Sequence, residues 1–552
     1  MLSQVTLKFG ASSERPALTF NPGPMTIFVG PNNSGKSLAL RELGLSFSQA
    51  QPAVMHIVEN IALKSFDDAA QLIDELRAHA SHEDGDTLYF SVQKSRAGER
   101  NIQQISLEQI RRNFNRRPDW LKDVLGKVFV IELDGKTRLA LTDSREAGDL
   151  QKPPANHLAA LFKDRTTRSR MREICLDAFG RYFVVDPTHP GKLRIRMAPL
   201  PPADDDEEQA LSERARLFHA GATRIEELSD GVKAFVGLLS AVVASISKVM
   251  LIDEPDAFLH PPLARKLGFH LAKLVQERGA KIICATHSAE FVMGCIESGV
   301  ELQIVRLTYE SGVATARMLQ SDDLMTLMKD PLLRSSNVIA SLFHEGVVVA
   351  ESDADRAFYA EVNHRLVVAG RAGAKGTLFL NAQNKQTVSK IVGPLRKLGI
   401  PAAGVIDADI FKKNGGSWKQ LLAAACIPDI QKTSLGTLRG TLREAFTKRG
   451  VDPKNGGINL LGNGERKACL SFFNQLSDYG VFVVPNGQLE SWLEDLRILG
   501  HGPPWLTAMF ERMRSREADS DYVRPSDGDV WEFLENIASW IHDSAREGIP
   551  NE

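Results

Sequence analysis

The run Met25-Thr-Ile-Phe-Val29, followed by Gly30-Pro31-Asn32-Asn33-Ser34-Gly35-Lys36-Ser37, constrains this chain more than any other feature. A strand-forming stretch leads into a G-x4-G-K-S turn, and a helical pattern opens at Lys36. Glycines in such a turn let backbone amides curl around phosphate oxygens, and the helix N-terminus adds its positive dipole end. Lys36 is then expected to reach the terminal phosphates, and the Ser37 hydroxyl to ligate Mg²⁺. A strand, a phosphate turn and a helix in this order predict an α/β core built on a parallel sheet. At 552 residues the chain has room for about three or four domains.

A second apolar run, Val249-Met-Leu-Ile-Asp253-Glu254, ends in two carboxylates. Asp253 at the strand tip suits the Mg²⁺ shell, and Glu254 is placed to polarise an attacking water. Leu228-Ser229-Asp230-Gly231 opens a helix before that strand. Asp256-Ala-Phe-Leu-His260 follows it, and Thr286-His287-Ser288 ends the next strand. In this order the motifs resemble the signature motif, D-loop and switch histidine of ABC-type ATPases. The resemblance implies that Gly30, Asn32, Asn33, Ser34, Gly35, Lys36, Ser37 and Asp253 hold ATP with Mg²⁺, with Glu254 and His287 as catalytic groups. It also implies that Ser229 and Gly231 of one subunit cover the γ-phosphate bound to another, so a homodimer or higher homo-oligomer is expected. The family's Q-loop glutamine stays open among Gln93, Gln103 and Gln104.

A separate set of acids follows later strands. Glu351 comes directly after Val347–Ala350 and Asp355 lies just beyond it. Asp407-Ala-Asp409 ends a further strand, and Glu490 follows the strand Val481–Val484. In an extended DxD, the side chains at i and i+2 share one face. Oxygen-rich clusters suit Mg²⁺ or Mn²⁺ and not zinc, and paired metals support in-line phosphodiester cleavage. A glutamate after one strand and DxD after a later one resembles the Toprim fold. Asn381-Ala-Gln-Asn384-Lys385 stands where a lysine-bearing loop often follows the second Toprim strand.

An ABC-type ATPase followed by a Toprim domain resembles the OLD (overcoming-lysogenization-defect) family of ATP-dependent nucleases. The resemblance implies an α/β chain with ATPase segments at 1–50 and 211–325. Residues 51–210 would be an insert of helical dimerisation elements and extra strands, 340–495 a parallel Toprim domain, and 496–552 a helical tail. Glu351, Asp355, Asp407, Asp409 and Glu490 would form a Mg²⁺ or Mn²⁺ site, with Glu351, Asp407 and Asp409 catalytic. The late basic residue of that fold stays open among Arg466, Lys467 and Arg497. The family includes antiphage effectors that cleave DNA, some with defence-operon partners such as retrons.

Charge qualifies this picture. With 67 Lys+Arg against 69 Asp+Glu the formal charge is −2, so any nucleic-acid contact must use local patches. Arg111, Arg112, Arg116 and Arg117 form one such patch, and Arg165, Arg168, Arg170 and Arg172 another. Ion pairs or a solvated face compete with DNA binding at both. The acid- and proline-rich stretch 198–209 reads as a solvated linker. The five cysteines are scattered without CxxC pairs, which points to a reducing cytoplasm. No apolar run reaches the ~18 residues of a membrane span. From Asp529 the apolar spacing predicts an amphipathic helix.

Overall fold

The computed structural model describes residues 1–12, 15–48, 54–93, 99–310, 312–320, 338–412 and 415–550. They divide into two compact units, Met1–Ser321 and Asp322–Glu552.

The first unit is organised by a six-stranded sheet. Its order is Val313–Gln320, Leu302–Glu310, Met25–Val29, Lys281–Ala285, Val249–Asp253 and Val130–Leu133. All neighbours run parallel except the hairpin formed by the first two. Met25–Val29 is buried along its whole length, as a central parallel strand covered on both faces must be. Asp253 pairs in register with Ala285, so the acidic and histidine-bearing turns emerge side by side at the carboxyl ends of two adjacent strands. Helix Asp230–Ala244 is buried from Ala234 to its end, which accounts for its continuous apolar sequence. Residues 130–133 lie within the stretch read as an insert, yet they pair with Val249–Ile252 of this sheet.

Residues 157–179 form two helices, His157–Lys163 and Arg165–Phe179. Asp164 breaks them because its extended backbone lets its carboxylate cap the Thr166 amide, at 2.8 Å. The linker 198–209 is not wholly solvated, since it holds a short helix, Asp205–Gln209. The Glu208 side chain there is fully buried and accepts from Arg168 Nε at 3.0 Å, from Val185 N at 3.1 Å and from Arg172. An acidic run looks soluble by composition, but one member at helical spacing can reach a buried arginine pair.

The second unit carries a four-stranded parallel sheet in the order Thr377–Asn381, Gly346–Ala350, Ala402–Ile406, Val481–Val483. Chain order 2-1-3-4 gathers the carboxyl ends of the first and third strands next to each other, the usual place for a site in an open α/β sheet. The helix Asp529–His542 packs Val530, Trp531, Leu534, Ile537, Trp540 and Ile541 into the core of this unit. Each such burial is worth about 1.5–3 kcal/mol before entropy is charged against it. Arg396 is fully buried and donates to the carbonyls of Ala402, Ala425, Tyr479, Gly480 and Gly548. Its guanidinium also stacks on Trp540, 4.8 Å from the ring centroid. Among the described residues no helix is long and apolar enough to cross a membrane.

Candidate functional site: a nucleotide cleft and a carboxylate cluster

The phosphate loop takes a backbone path that only small residues follow easily. Gly30 has φ 141° and Gly35 φ 90°, while Asn33, at φ 63°, is a residue type that tolerates the left-handed region. A Cβ on Gly30 would lie 2.0 Å from the Leu307 carbonyl oxygen, and one on Gly35 2.5 Å from Ile57 Cδ1. Lys36 is buried under this loop. Its Nζ donates to the carbonyls of Gly30 (2.9 Å) and Pro31 (2.7 Å) and to Ser34 Oγ (3.3 Å). Burial pulls its pKa down to about 8. The ammonium is thus held at the loop mouth by weak neutral acceptors that anionic phosphates can outcompete.

Ser37 Oγ donates to Asp253 Oδ1 at 2.9 Å. Burial raises the Asp253 pKa, against the Ser37 hydrogen bond, and the Glu254 charge adds to the rise. Both groups line a cleft of about 730 Å³ together with Arg41, Glu132, Asp134 and Glu254. Sequence reasoning missed Glu132, Asp134 and Arg41. For the two acids the signal was present, because Val128–Leu133 reads as a strand, but nothing in the sequence told which sheet it joins; Arg41 lies in the helix Lys36–Leu45, where no pattern marks it. Gln103 and Gln104 lie in the strand Arg100–Ser106 of another sheet, and Gln93 lies in its neighbour Thr87–Gln93. None of the three lines the cleft, whose wall is formed by acids at the end of Val130–Leu133.

Around this core the remaining motif residues fall into two groups. Thr286 Oγ1 donates to Asp256 and accepts from Ser288 N at 2.9 Å, tying the loop after Glu254 to the turn that bears His287. The surrounding protein, and next the Lys36 charge, favour neutral His287. Ser229 starts the helix Asp230–Ala244, is exposed, and makes no capping bond. Gly231 packs against Phe258, where a Cβ would lie 3.1 Å from the carbonyl oxygen. Ser229 does not line the cleft that holds Ser37 and Asp253.

In the second unit Glu351 follows its strand directly, and its Oε1 accepts from the Asp407 amide at 3.0 Å. The DxD is not extended as expected. The strand ends at Ile406, Asp407 starts a 3-10 turn and Asp409 lies inside it, so strand alternation does not set where the two carboxylates point. Each meets a lysine. Lys454 is 3.0 Å from Asp407 Oδ2, and Lys385 is 2.7 Å from Asp409 Oδ2. Arg439 holds the turn by donating to the carbonyls of Ile410 and Lys412, both at 2.8 Å, while stacking over Trp418. Lys454 was not among the basic candidates, because no local pattern marks it. Glu351 is pushed well above the carboxylate range by burial and then by the Asp407 charge. Asp407 also rises through burial, against the pull of Lys454.

Asp355 and Glu490 have structural partners. Asp355 closes a capping box, with its amide 3.2 Å from Ser352 Oγ and its carboxylate 3.0 Å from the Ser352 amide. Glu490 Oε1 accepts from Gly502 N at 2.7 Å. Burial raises Asp355, and the Glu490 charge adds to it, so the two stay electrostatically within reach. Among the described residues no three His, Cys, Asp or Glu side chains are drawn together tightly enough to hold a metal ion. The donor chemistry of Glu351, Asp407 and Asp409 nevertheless suits a hard cation.

Residues 193–293 match a family described as "AAA domain, putative AbiEii toxin, Type IV TA system". That segment contains Ser229, Asp253, Glu254 and His287. The first unit holds an ATP-binding, ABC-type P-loop ATPase domain. Curated relatives agree. A phosphonates import ATP-binding protein, PhnC 3 of a Nostoc species, is 28% identical over 116 residues, 21% of this chain and 44% of the relative. PhnC 2 of Albidiferax ferrireducens is 31% identical over 118 residues, 20% of this chain and 42% of the relative. PhnC 2 of Rhodopseudomonas palustris is 24% identical over 208 residues, 36% and 70% of the two chains. The chain thus spans under half the length of the first two relatives. Among solved structures, an SMC head bound to the C-winged helix domain of ScpA has a TM-score of 0.34 at 14% identity, over 59% of this chain and 99% of that one. The SMC head domain from Thermotoga maritima has a TM-score of 0.29 at 16% identity, over 58% and 99%.

Proposed function

We propose that this protein is an ATP-regulated, metal-dependent endonuclease of the OLD type, acting on DNA as an antiphage effector. The ATPase domain hydrolyses ATP between two copies of the chain, because Ser229 is exposed and does not line its own nucleotide cleft. Bound Mg²⁺ at Ser37 and Asp253 would neutralise phosphate charge, while Glu254 orients water and His287 meets the γ-phosphate.

The observation that carries the nuclease reading is the meeting of Glu351, Asp407 and Asp409 with Lys385 and Lys454 at the carboxyl ends of parallel strands. Carboxylates there would hold Mg²⁺ or Mn²⁺, which supplies Lewis-acid activation of a phosphodiester. Lys385 and Lys454 would engage the phosphate itself, as compact cations do. A family described by a toxin name supports a role in arresting growth or phage, and a defence-operon partner such as a retron fits that role.

A second reading also has an observation behind it. The carboxylates do not converge as a ready metal cluster, which favours an ATPase sensor or scaffold whose second unit binds without cutting and acts through a partner toxin or a reverse transcriptase–RNA complex. Cleavage of plasmid and linear DNA with Mg²⁺ or Mn²⁺, by wild type, Asp407→Ala/Asp409→Ala and Lys36→Ala proteins, separates the two. Equal cleavage by wild type and the double variant sinks the nuclease reading.

A further inference from the structure

Arg138 is one of the largest side chains buried in the molecule, at 1% exposure, and no motif contains it. Its guanidinium spends its hydrogen bonds on backbone. Nη1 donates to the carbonyls of Glu254 (2.6 Å) and Pro255 (3.1 Å), and Nη2 to that of Asp253 (3.0 Å). These three consecutive carbonyls belong to the turn that presents the water-orienting carboxylate. Glu254 itself has φ 49°, a left-handed conformation that costs a non-glycine residue energy and persists only where neighbours enforce it. Its amide N–H donates to Ala285 O at 2.9 Å and fixes one side of the turn, and Arg138 fixes the other.

The other end of Arg138 is anchored in the helix that starts at Ser229. Arg138 precedes the 3-10 turn Leu139–Thr142, which packs on helix Asp230–Ala244 at Gly237. A Cβ at Gly237 would lie 2.8 Å from Arg138 O, 3.2 Å from Leu141 Cβ and 3.3 Å from Thr142 Cγ2. Any side chain there would push the turn off the helix. His157 Nε2 is bonded to Leu141 O at 2.8 Å, which clamps the turn from its far side.

We propose that Arg138 is a positioning residue for ATP hydrolysis: it holds the strained Glu254 backbone and links it rigidly to the helix bearing Ser229. This rests on the ATPase reading of the first unit. Carbonyl acceptors suit the task because they leave the Asp253 and Glu254 carboxylates free for cation and water. The buried positive charge also offsets the repulsion between those carboxylates. Engagement of Ser229 by the nucleotide of a second copy then reaches Glu254 through one packed helix and one side chain.

The test uses the full-length chain with Arg138→Lys, Arg138→Gln and the controls Lys36→Ala and Glu254→Gln. Steady-state ATPase kinetics, binding of a fluorescent ATP analogue and thermal unfolding are read in parallel. Small misplacement of a catalytic group costs about tenfold to a hundredfold in rate. Arg138→Lys is expected to lose that much kcat, with KM, analogue affinity and melting temperature close to wild type. In the Glu254→Gln background it should remove little further activity, because both changes disable the same step. Wild-type kcat in Arg138→Lys and Arg138→Gln overturns the proposal. So does a parallel fall of kcat, affinity and melting temperature in both, which marks a purely structural residue. Turnover in wild type no higher than in Lys36→Ala overturns the ATPase reading itself, and is told apart because it is seen before any Arg138 change is made.

Discussion

Ser37 Oγ and Asp253 Oδ1 meet at 2.9 Å, joining the phosphate loop to the tip of a strand two places away in the sheet. Asp253→Asn keeps a hydrogen-bond acceptor while removing the charge. ATP affinity measured without Mg²⁺ should change little, whereas Mg²⁺-supported kcat should fall about 10²–10³-fold, the loss seen when one preorganised electrostatic group is removed. Calorimetric binding with and without Mg²⁺, beside steady-state turnover, checks it.

Lys36 gives a pH signature. Its pKa falls from 10.5 to about 8 through burial, so above pH 8 the folded, nucleotide-free protein holds it neutral. The unfolded chain still binds that proton up to 10.5, so this group's burial penalty is full below pH 8 and is relieved as pH rises above it. Phosphate binding restores the charge and must take up a proton. ATP affinity should therefore decline about tenfold per pH unit above pH 8. Titrations from pH 7 to 9.5 test this, and Lys36→Gln should bind weakly with no such slope.

Gly30→Ala forces a methyl group to within 2.0 Å of the Leu307 carbonyl oxygen at φ 141°. Steric strain of this kind costs at least about 1–3 kcal/mol. Lower denaturation midpoints together with lost ATP binding are the expected result. Gly312→Ala, with φ 86° but open space around it, should strain the backbone without touching nucleotide binding.

The carboxylate cluster of the second unit predicts an opposite pH trend. Glu351 and Asp407 titrate above their ordinary values of 4.5 and 3.8, so the folded state keeps protons that the unfolded chain releases. Their contribution is most favourable below those ordinary values and erodes as pH climbs towards neutrality. Trp418, Trp492, Trp505, Trp531 and Trp540 all lie in this unit, so tryptophan fluorescence follows its melting. Stability should fall from pH 5 to 8, and Mg²⁺, Mn²⁺ or Glu351→Gln should flatten the decline. An unchanged slope with Glu351→Gln contradicts the assignment.

Glu208→Ala removes the fully buried carboxylate bonded to Arg168 and leaves it only the partly exposed Asp205, at 3.2 Å. Breaking a buried pair from one side costs about 3–5 kcal/mol. Chemical denaturation should show a loss of that size. DNA affinity should be unmoved by Arg168→Ala, since this guanidinium is 1% exposed and already bonded inward.

The phosphate loop, the acid-tipped strand and the switch turn were legible because their chemistry is local: each needs adjacent residues in a fixed order. What joins them was not. Val128–Leu133 reads as a strand anywhere, though Val128 and Phe129 end a helix, and only the pairing of Val130–Leu133 with Val249–Ile252 brings Glu132 and Asp134 into the cleft. The DxD was found as a motif, but its backbone turns after Asp407, since Arg439, distant in sequence, holds the carbonyls of the turn. Arg138 and Lys454 carry no sequence mark at all. Their importance is a property of the acceptors that folding brings to them.

The lysines on Asp407 and Asp409 change what cation entry means in the second unit. An ion arriving there would not fill an anionic hollow; it would trade places with two tethered ammonium groups. Trading like for like moves little net charge, so the balance is decided by what the displaced lysines touch next. A polyanion lying over this carboxylate cluster would receive them, and cation and polyanion would then load as a mutually dependent pair.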